Sequence, residues 1–296
     1  DTLAPIVLAK ERDTVYVSKT LNGPITLDVT DIDSASADNA NCTPLDLTLG
    51  GKFNLDCSDV NQEVEVYLIG TDGSGNTSRD TTIVLVLDTV KPEIVLRTLI
   101  PAFYVNANGE DTIQVSDIDG GSTDNCGIAL REITGQYITC ADAPSKDIVF
   151  RVVDKYGNES TETITVNVID TVSPKITVQN ATIVIDTSGK AMLDKSQVVV
   201  VSSDNCGVDT ITLSKDEFDL SNVGLNNVDV TITDKSANTT TKTVEVTVII
   251  GDADKDSIPD YVERNVDTDG DGTLDYLDID TDNDGCADCA ENDQKH

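Results

Sequence analysis

The sequence predicts an all-β chain: three tandem antiparallel sandwiches in a rod, then an acidic tail with little regular structure. Three observations carry this. A short phrase recurs as Asp1-Thr2-Leu3-Ala4-Pro5-Ile6, Asp88-Thr89-Val90-Lys91-Pro92-Glu93-Ile94 and Asp170-Thr171-Val172-Ser173-Pro174-Lys175-Ile176. Its copies start 87 and 82 residues apart, a period that means repeated units. Between copies, short alternating runs are separated by turn signals roughly every ten residues, the signature of a sandwich. The composition, with no Trp and a surplus of Thr, Val, Ile and Asp, favours strands and oxygen-rich loops.

Each phrase ends one alternating run and begins another, with Pro stiffening the start of the next strand. It reads as a seam, giving repeats at 1–88, 89–170 and 171–250 and a tail at 251–296. Repeat one carries Asp31-Ile32-Asp33, then Asp38 to Cys42, and Asp72-Gly73-Ser74-Gly75-Asn76 before a last strand at 81–87. Repeat two is the plainest. Strands are expected at 93–98, 111–116, 128–133, 147–153 and 161–169. A polar loop, 117–127, and the tight turn Asp154-Lys155-Tyr156-Gly157-Asn158 separate them. Repeat three keeps Asp204-Asn205-Cys206-Gly207, Asp234 to Asn238 and a last strand at 243–250. It has Val199, Val200 and Val201 where the others carry Asp-x-Asp.

With 54 acidic and 20 basic residues, the net charge is −34. That excludes nucleic-acid binding through phosphate contacts and argues against anionic membrane surfaces. No apolar run is long enough to span a bilayer. The seam phrase at Asp1, with no signal peptide before it, implies a processed product or a piece of something longer. Seven cysteines at partly repeated positions point to an oxidising, extracellular or cell-surface setting.

After Gly251 the texture changes: 16 acidic and 3 basic residues in 46. A disordered acidic tail is the plain alternative, but the spacing fits a calcium loop with oxygen ligands at positions 1, 3, 5, 7, 9 and 12. The first loop takes Asp252, Asp254, Asp256, the Ile258 carbonyl, Asp260 and Glu263. The second takes Asp267, Asp269, Asp271, the Thr273 carbonyl, Asp275 and Asp278. The third takes Asp280, Asp282, Asp284, the Cys286 carbonyl, Asp288 and Glu291. Gly272 and Gly285 occupy the sharp-turn position 6, where the first loop has Ser257. An all-oxygen set selects calcium over zinc, and its flexible geometry over magnesium. The loops start 15 and 13 residues apart, too close for helix–loop–helix pairs. They resemble thrombospondin type 3 repeats, in the form common in secreted proteins of Bacteroidota.

Residues 1–250 resemble immunoglobulin-like repeats of the HYR kind, which share the Asp-Asn-Cys-Gly loop, the Asp-x-x-Gly-Asn turn and a closing Asp before Pro. Here these are Asp124 to Gly127, Asp154 to Asn158, and Asp170 with Pro174. Repeat one departs from the pattern, with Ala40-Asn41 before its Cys. The resemblance implies adhesion or a structural stalk. In an immunoglobulin-like topology, the loop after the second strand, the turn before the last strand and the incoming seam share one end. That would gather Asp88, Asp117, Asp119, Asp124, Asn125, Asp154 and Asn158 in repeat two. Repeat one would gather Asp1, Asp31, Asp33, Asp38, Asp72 and Asn76, and repeat three Asp170, Asp204, Asp234 and Asn238. Converging carboxylates repel, so a calcium ion at each seam is expected to lock adjacent repeats. The alternative is that these residues only form turns.

Cys42 and Cys57 are 15 apart and Cys126 and Cys140 are 14 apart, which predicts disulfides Cys42–Cys57 and Cys126–Cys140 within repeats. Cys206 is then left as a free thiol, and Cys286–Cys289 is expected to form a local disulfide. Catalysis lacks material: the single His is His296, aromatic residues are scarce at 4%, and no phosphate-cradling loop appears. Asp-Thr followed by an apolar residue or Thr, at Thr2, Thr14, Thr81, Thr89, Thr112, Thr171 and Thr210, is similar to the O-glycosylation sequon of Bacteroidota envelope proteins. Strand composition is the alternative. The expectation is a non-enzymatic, calcium-stiffened stalk segment of a secreted or cell-surface bacterial adhesin, as in gliding Bacteroidota. The alternatives are a subunit that self-assembles into a filament through its edge strands, and a spacer in a larger secreted enzyme.

Overall fold

The computed structural model describes residues 2–17, 25–38 and 44–288. The same four-stranded sheet is built three times. In repeat one its order is Arg12–Val17, Thr77–Asp88, Glu63–Thr71, Asp46–Gly51. In repeat two it is Phe103–Tyr104, Glu159–Ile169, Ser145–Asp154, Ile128–Thr134. In repeat three it is Ala181–Ile185, Thr239–Ile250, Gly224–Asp234, Val208–Leu213. The long hairpins are antiparallel. The first strand instead runs parallel to the last, Arg12 opposite Ile83 and Ala181 opposite Val246.

Alternation along the long strands makes the core. Ile148, Phe150 and Val152 turn inward on one strand of repeat two, and Val244, Val246 and Val248 on one of repeat three. In repeat one, Val66, Leu68, Val84 and Val86 meet Leu27, Ile32 and Leu55 from the facing layer. In repeat three, Val228, Val230 and the three last-strand valines meet Ile183, Ile185, Leu193, Val198 and Phe218. Burying each such side chain contributes roughly 1.5–3 kcal/mol.

The facing layer holds fewer strands than the sequence suggests. Glu93 and Leu96 make only isolated bridges, to Thr123 and Asp119. The run 111–116 leaves the extended form for a helical turn, Val115–Ile118. The same turn stands at Val29–Ile32 and Lys195–Val198. Each begins with a capping box, which satisfies the free amides of a short helix. Each ends on a fully buried apolar residue: Ile32, Ile118 or Val198.

The chain divides into two compact units. One comprises Asp1–Phe103, Thr112–Ile138 and Pro144–Asn167; the other comprises Tyr104–Asp111, Thr139–Ala143 and Val168–His296. Among the described residues no helix is long and apolar enough to cross a membrane.

Candidate metal centres

Asp88 ends the last strand of repeat one, Asp124 opens the Asp-Asn-Cys-Gly loop, and Asp154 ends a long strand of repeat two. One carboxylate oxygen from each lies within 4.8 Å of the others. Asp170, Asp204 and Asp234 form the same group in the second unit. Asp154 is spent on its turn: Oδ1 accepts from the amides of Tyr156 and Asn158, and Oδ2 from the Asn158 side chain at 2.7 Å. Asn158 also donates to the Asp88 carbonyl at 3.1 Å, tying the turn to the incoming strand end. Asp234 and Asn238 repeat this, with Asn238 reaching the Asp170 carbonyl. The side-chain NH2 groups of Asn158 and Asn238, residues expected as ligands, brace their aspartates.

What the turn does not use is left over. Asp88 uses Oδ1 to hold the Val90 amide, and Asp124 uses Oδ1 for the Cys126 and Gly127 amides. Asp88 Oδ2, Asp124 Oδ2 and Asn125 Oδ1 are buried with no hydrogen-bond partner, as are Asp170 Oδ2, Asp204 Oδ2 and Asn205 Oδ1. Asp88 and Asp170 are only 8% and 5% exposed. Burial, with Asp88 and Asp154 adding repulsion, pushes the Asp124 carboxyl above its usual range. Buried oxygens without a partner are costly. Carboxylate and amide oxygens in this pattern fit a hard divalent cation, calcium above all.

The Asp-x-Asp element does not join these groups. Asp31 and Asp117 accept from the Asp28 and Gln114 amides in the capping boxes. Asp33 holds the Ser36 amide; Asp119 holds Ser122 and pairs with Arg131 at 2.9 Å. Their carboxylates close local turns, and repeat three forms its cluster without that element. In repeat one, Asp72 holds its turn with Asn76, whose side-chain amide keeps the Asp72 carboxyl below its usual range. Asp1, Cys42, Cys289 and Glu291 lie outside the described residues.

The tail loops share one conformation. Position 4 has positive φ at Lys255, Gly270 and Asn283, and position 6 at Ser257, Gly272 and Gly285. Ser257 thus takes up the glycine conformation, at φ 80°. Position 1 caps the loop, Asp252 taking the Lys255 amide, Asp267 those of Gly270 and Gly272, and Asp280 those of Asp284 and Gly285. Positions 3 and 5 accept from the amide two residues on: Asp254 from Asp256, Asp269 from Asp271, Asp282 from Asp284, Asp256 from Ile258, Asp271 from Thr273, Asp284 from Cys286. The position-9 aspartates turn inward to the position-2 amide: Asp260 to Ala253, Asp275 to Thr268 and Asp288 to Thr281. Asp278 caps the Asp280 amide. Asp252, Asp254 and Asp256 converge, as do Asp267, Asp269 and Asp271. Glu263 is pushed up to about 8 by burial and by Asp254, Asp256, Asp288 and Asp260. Tyr261, beside it, packs against the core of repeat three.

The disulfides depart from expectation. Cys57 bonds Cys126 and Cys140 bonds Cys206, with Cα–Cα distances of 5.3 Å and sequence separations of 69 and 66. The pairings Cys42–Cys57 and Cys126–Cys140 are therefore corrected, and Cys206 is not a free thiol. The 3₁₀ turn carrying Cys57 lies against the loop of the following repeat, where Cys57 Sγ approaches the Asn125 carbonyl at 3.5 Å and Tyr156 donates its hydroxyl to the Cys57 carbonyl. Leu220 holds the matching 3₁₀ position in repeat three, which is followed directly by the acidic tail. That substitution was the one signal for the true pairing.

No family model matches the chain. Hyalin of Strongylocentrotus purpuratus is 29% identical over 197 residues, 64% of this chain. The match spans only 16% of hyalin. Among solved structures, protocadherin gammaB7 EC3-6 is 14% identical with a TM-score of 0.36, covering 86% of this chain and 75% of that one. The protocadherin gammaB4 extracellular domain is 16% identical with a TM-score of 0.34, covering 85% and 50%. Mouse cadherin-23 EC22-24 is 11% identical with a TM-score of 0.30, covering 83% and 99%.

Proposed function

We propose that this chain is a segment of an extracellular, adhesion-type repeat protein, and that calcium fixes its repeat junctions and folds its tail. The observation that carries the reading is the recurrence of the same three partnerless oxygens, Asp88 Oδ2, Asp124 Oδ2 and Asn125 Oδ1, as Asp170 Oδ2, Asp204 Oδ2 and Asn205 Oδ1. Turn-forming alone supplies no reason to bury acceptors twice at matching positions. The HYR-type motifs and the hyalin match both support an adhesion-type repeat, and the disulfides support an extracellular setting. On this reading the segment is non-catalytic, divides at its seam phrases, and serves as a stalk that projects an adhesive element from a bacterial surface. The seven Asp-Thr threonines are all exposed, whereas neighbouring Thr82 is fully buried. Sugars there would coat the stalk, and intact mass above the sequence mass is the check.

Calorimetric calcium titration of the full chain tests the junction sites. The variant Asp124→Asn with Asp204→Asn is expected to lose two bound ions while keeping those of the tail. Unchanged stoichiometry would overturn the junction reading.

A further inference from the structure

The tail brings together a group that the loop template keeps apart. Asp256 and Glu263 belong to the first loop and Asp288 to the third, 25 residues beyond Glu263. Yet one oxygen from each of the three lies within 4.8 Å of the others. Asp256 is 3% exposed, and its Oδ2 has no partner. Both carboxylate oxygens of Glu263 are also buried without a partner. Asp288 is buried, held in place by its Oδ1 accepting from the Thr281 amide and by its own amide bonding the Ile279 carbonyl. The matching residue of the second loop, Asp275, gives both oxygens to Thr268.

We infer that the first and third loops share one divalent cation, held by Asp256, Glu263 and Asp288, so that the tail closes on itself rather than forming three separate beads. Three converging carboxylates, two of them with buried, partnerless oxygens (Asp256 and Glu263), are a hard all-oxygen set, the chemistry that calcium takes and zinc or copper does not. The inference rests on the reading of the tail as calcium-binding, and it adds a ligand that the spacing assigns to a different ion. Its structural consequence is that the third loop is fastened to the turn Asp260–Glu263, which carries the core-packed Tyr261.

Terbium, which occupies calcium's oxygen sites, is the probe on the full chain. Tyr261 lies two residues from Glu263, so the sensitised emission lost in Tyr261→Phe reports on this site. Asp288→Asn keeps an Oδ1 acceptor for Thr281 while removing the charge. It is expected to weaken the Tyr261-dependent affinity at least tenfold. Asn283→Gly, an exposed change in the same loop at a left-handed position that holds no ligand, is expected to weaken it less than threefold. Equal effects of the two variants, or an effect of Asp288→Asn below twofold, overturn the shared site while leaving the loops as cation binders. Absence of any Tyr261-dependent emission in the unaltered chain overturns both the sharing and the calcium reading of the first loop.

Discussion

Asp154 and Asp124 belong to the same cluster yet differ in kind, because Asp154 has both oxygens engaged by its turn and Asp124 has one left over. Asp154→Ala would strand the Tyr156 and Asn158 donors in a site where Asp154 itself is 2% exposed. A loss of about 3 kcal/mol is expected in chemical denaturation, with or without calcium. Asp124→Asn should behave differently. It removes one of three mutually repelling carboxylates, so it is expected to raise the melting temperature in chelator and lower it in calcium; the same sign in both conditions would show that Asp124 serves the turn alone. Ala237 adopts φ 68° where the matching turns have Gly75 and Gly157. Ala237→Gly is therefore expected to stabilise by about 1 kcal/mol, read from the denaturation midpoint. These roles were only partly legible. Spacing placed Asp117, Asp119 and Asp124 in one loop and could not separate cap, turn and ligand. The clue lay in repeat three, which dispenses with Asp-x-Asp and keeps Asp204.

At the scale of elements, the disulfides fasten the 3₁₀ turn of one repeat to the Asp-Asn-Cys-Gly loop of the next. Each closes a loop far longer than the local bridges that the spacing suggested, so each is expected to contribute about 4 kcal/mol, lost in Cys57→Ser with Cys126→Ser. Non-reducing proteolysis should release the peptides of Cys57 and Cys126 joined, and those of Cys140 and Cys206 joined. The helical turns escaped the sequence reading for a related reason. A four-residue turn has no periodicity, and only its capping box, such as Asp28 with Asp31, marks it. The tail loops were far more legible, because their aspartates recur at ligand spacing and their left-handed positions fall at the same two places in every loop. Where the first loop meets repeat three, Gly251 approaches the Ile185 carbonyl so closely that a Cβ would stand 3.0 Å from it. Side chains larger than hydrogen at that position would push the loop away.

For the molecule as a whole, the sandwich class and the threefold sheet follow from features visible in the chain itself: alternating runs, a seam phrase at near-fixed period, and apolar residues at alternate positions of the long strands. What alternation could not disclose is which polar groups end up buried, since that depends on how loops from different repeats come together. Those groups are the substance of the functional proposal. On that proposal, carboxylates gathered at successive junctions and along the tail would repel without cations and would tie the chain together with them, so dimensions would depend on the ion. Small-angle X-ray scattering of the full chain, first in calcium and then in excess chelator, tests this most directly. The account predicts that chelation changes the distance distribution, as junctions loosen and the tail expands, and that restored calcium reverses it. Superimposable profiles in the two conditions would contradict it.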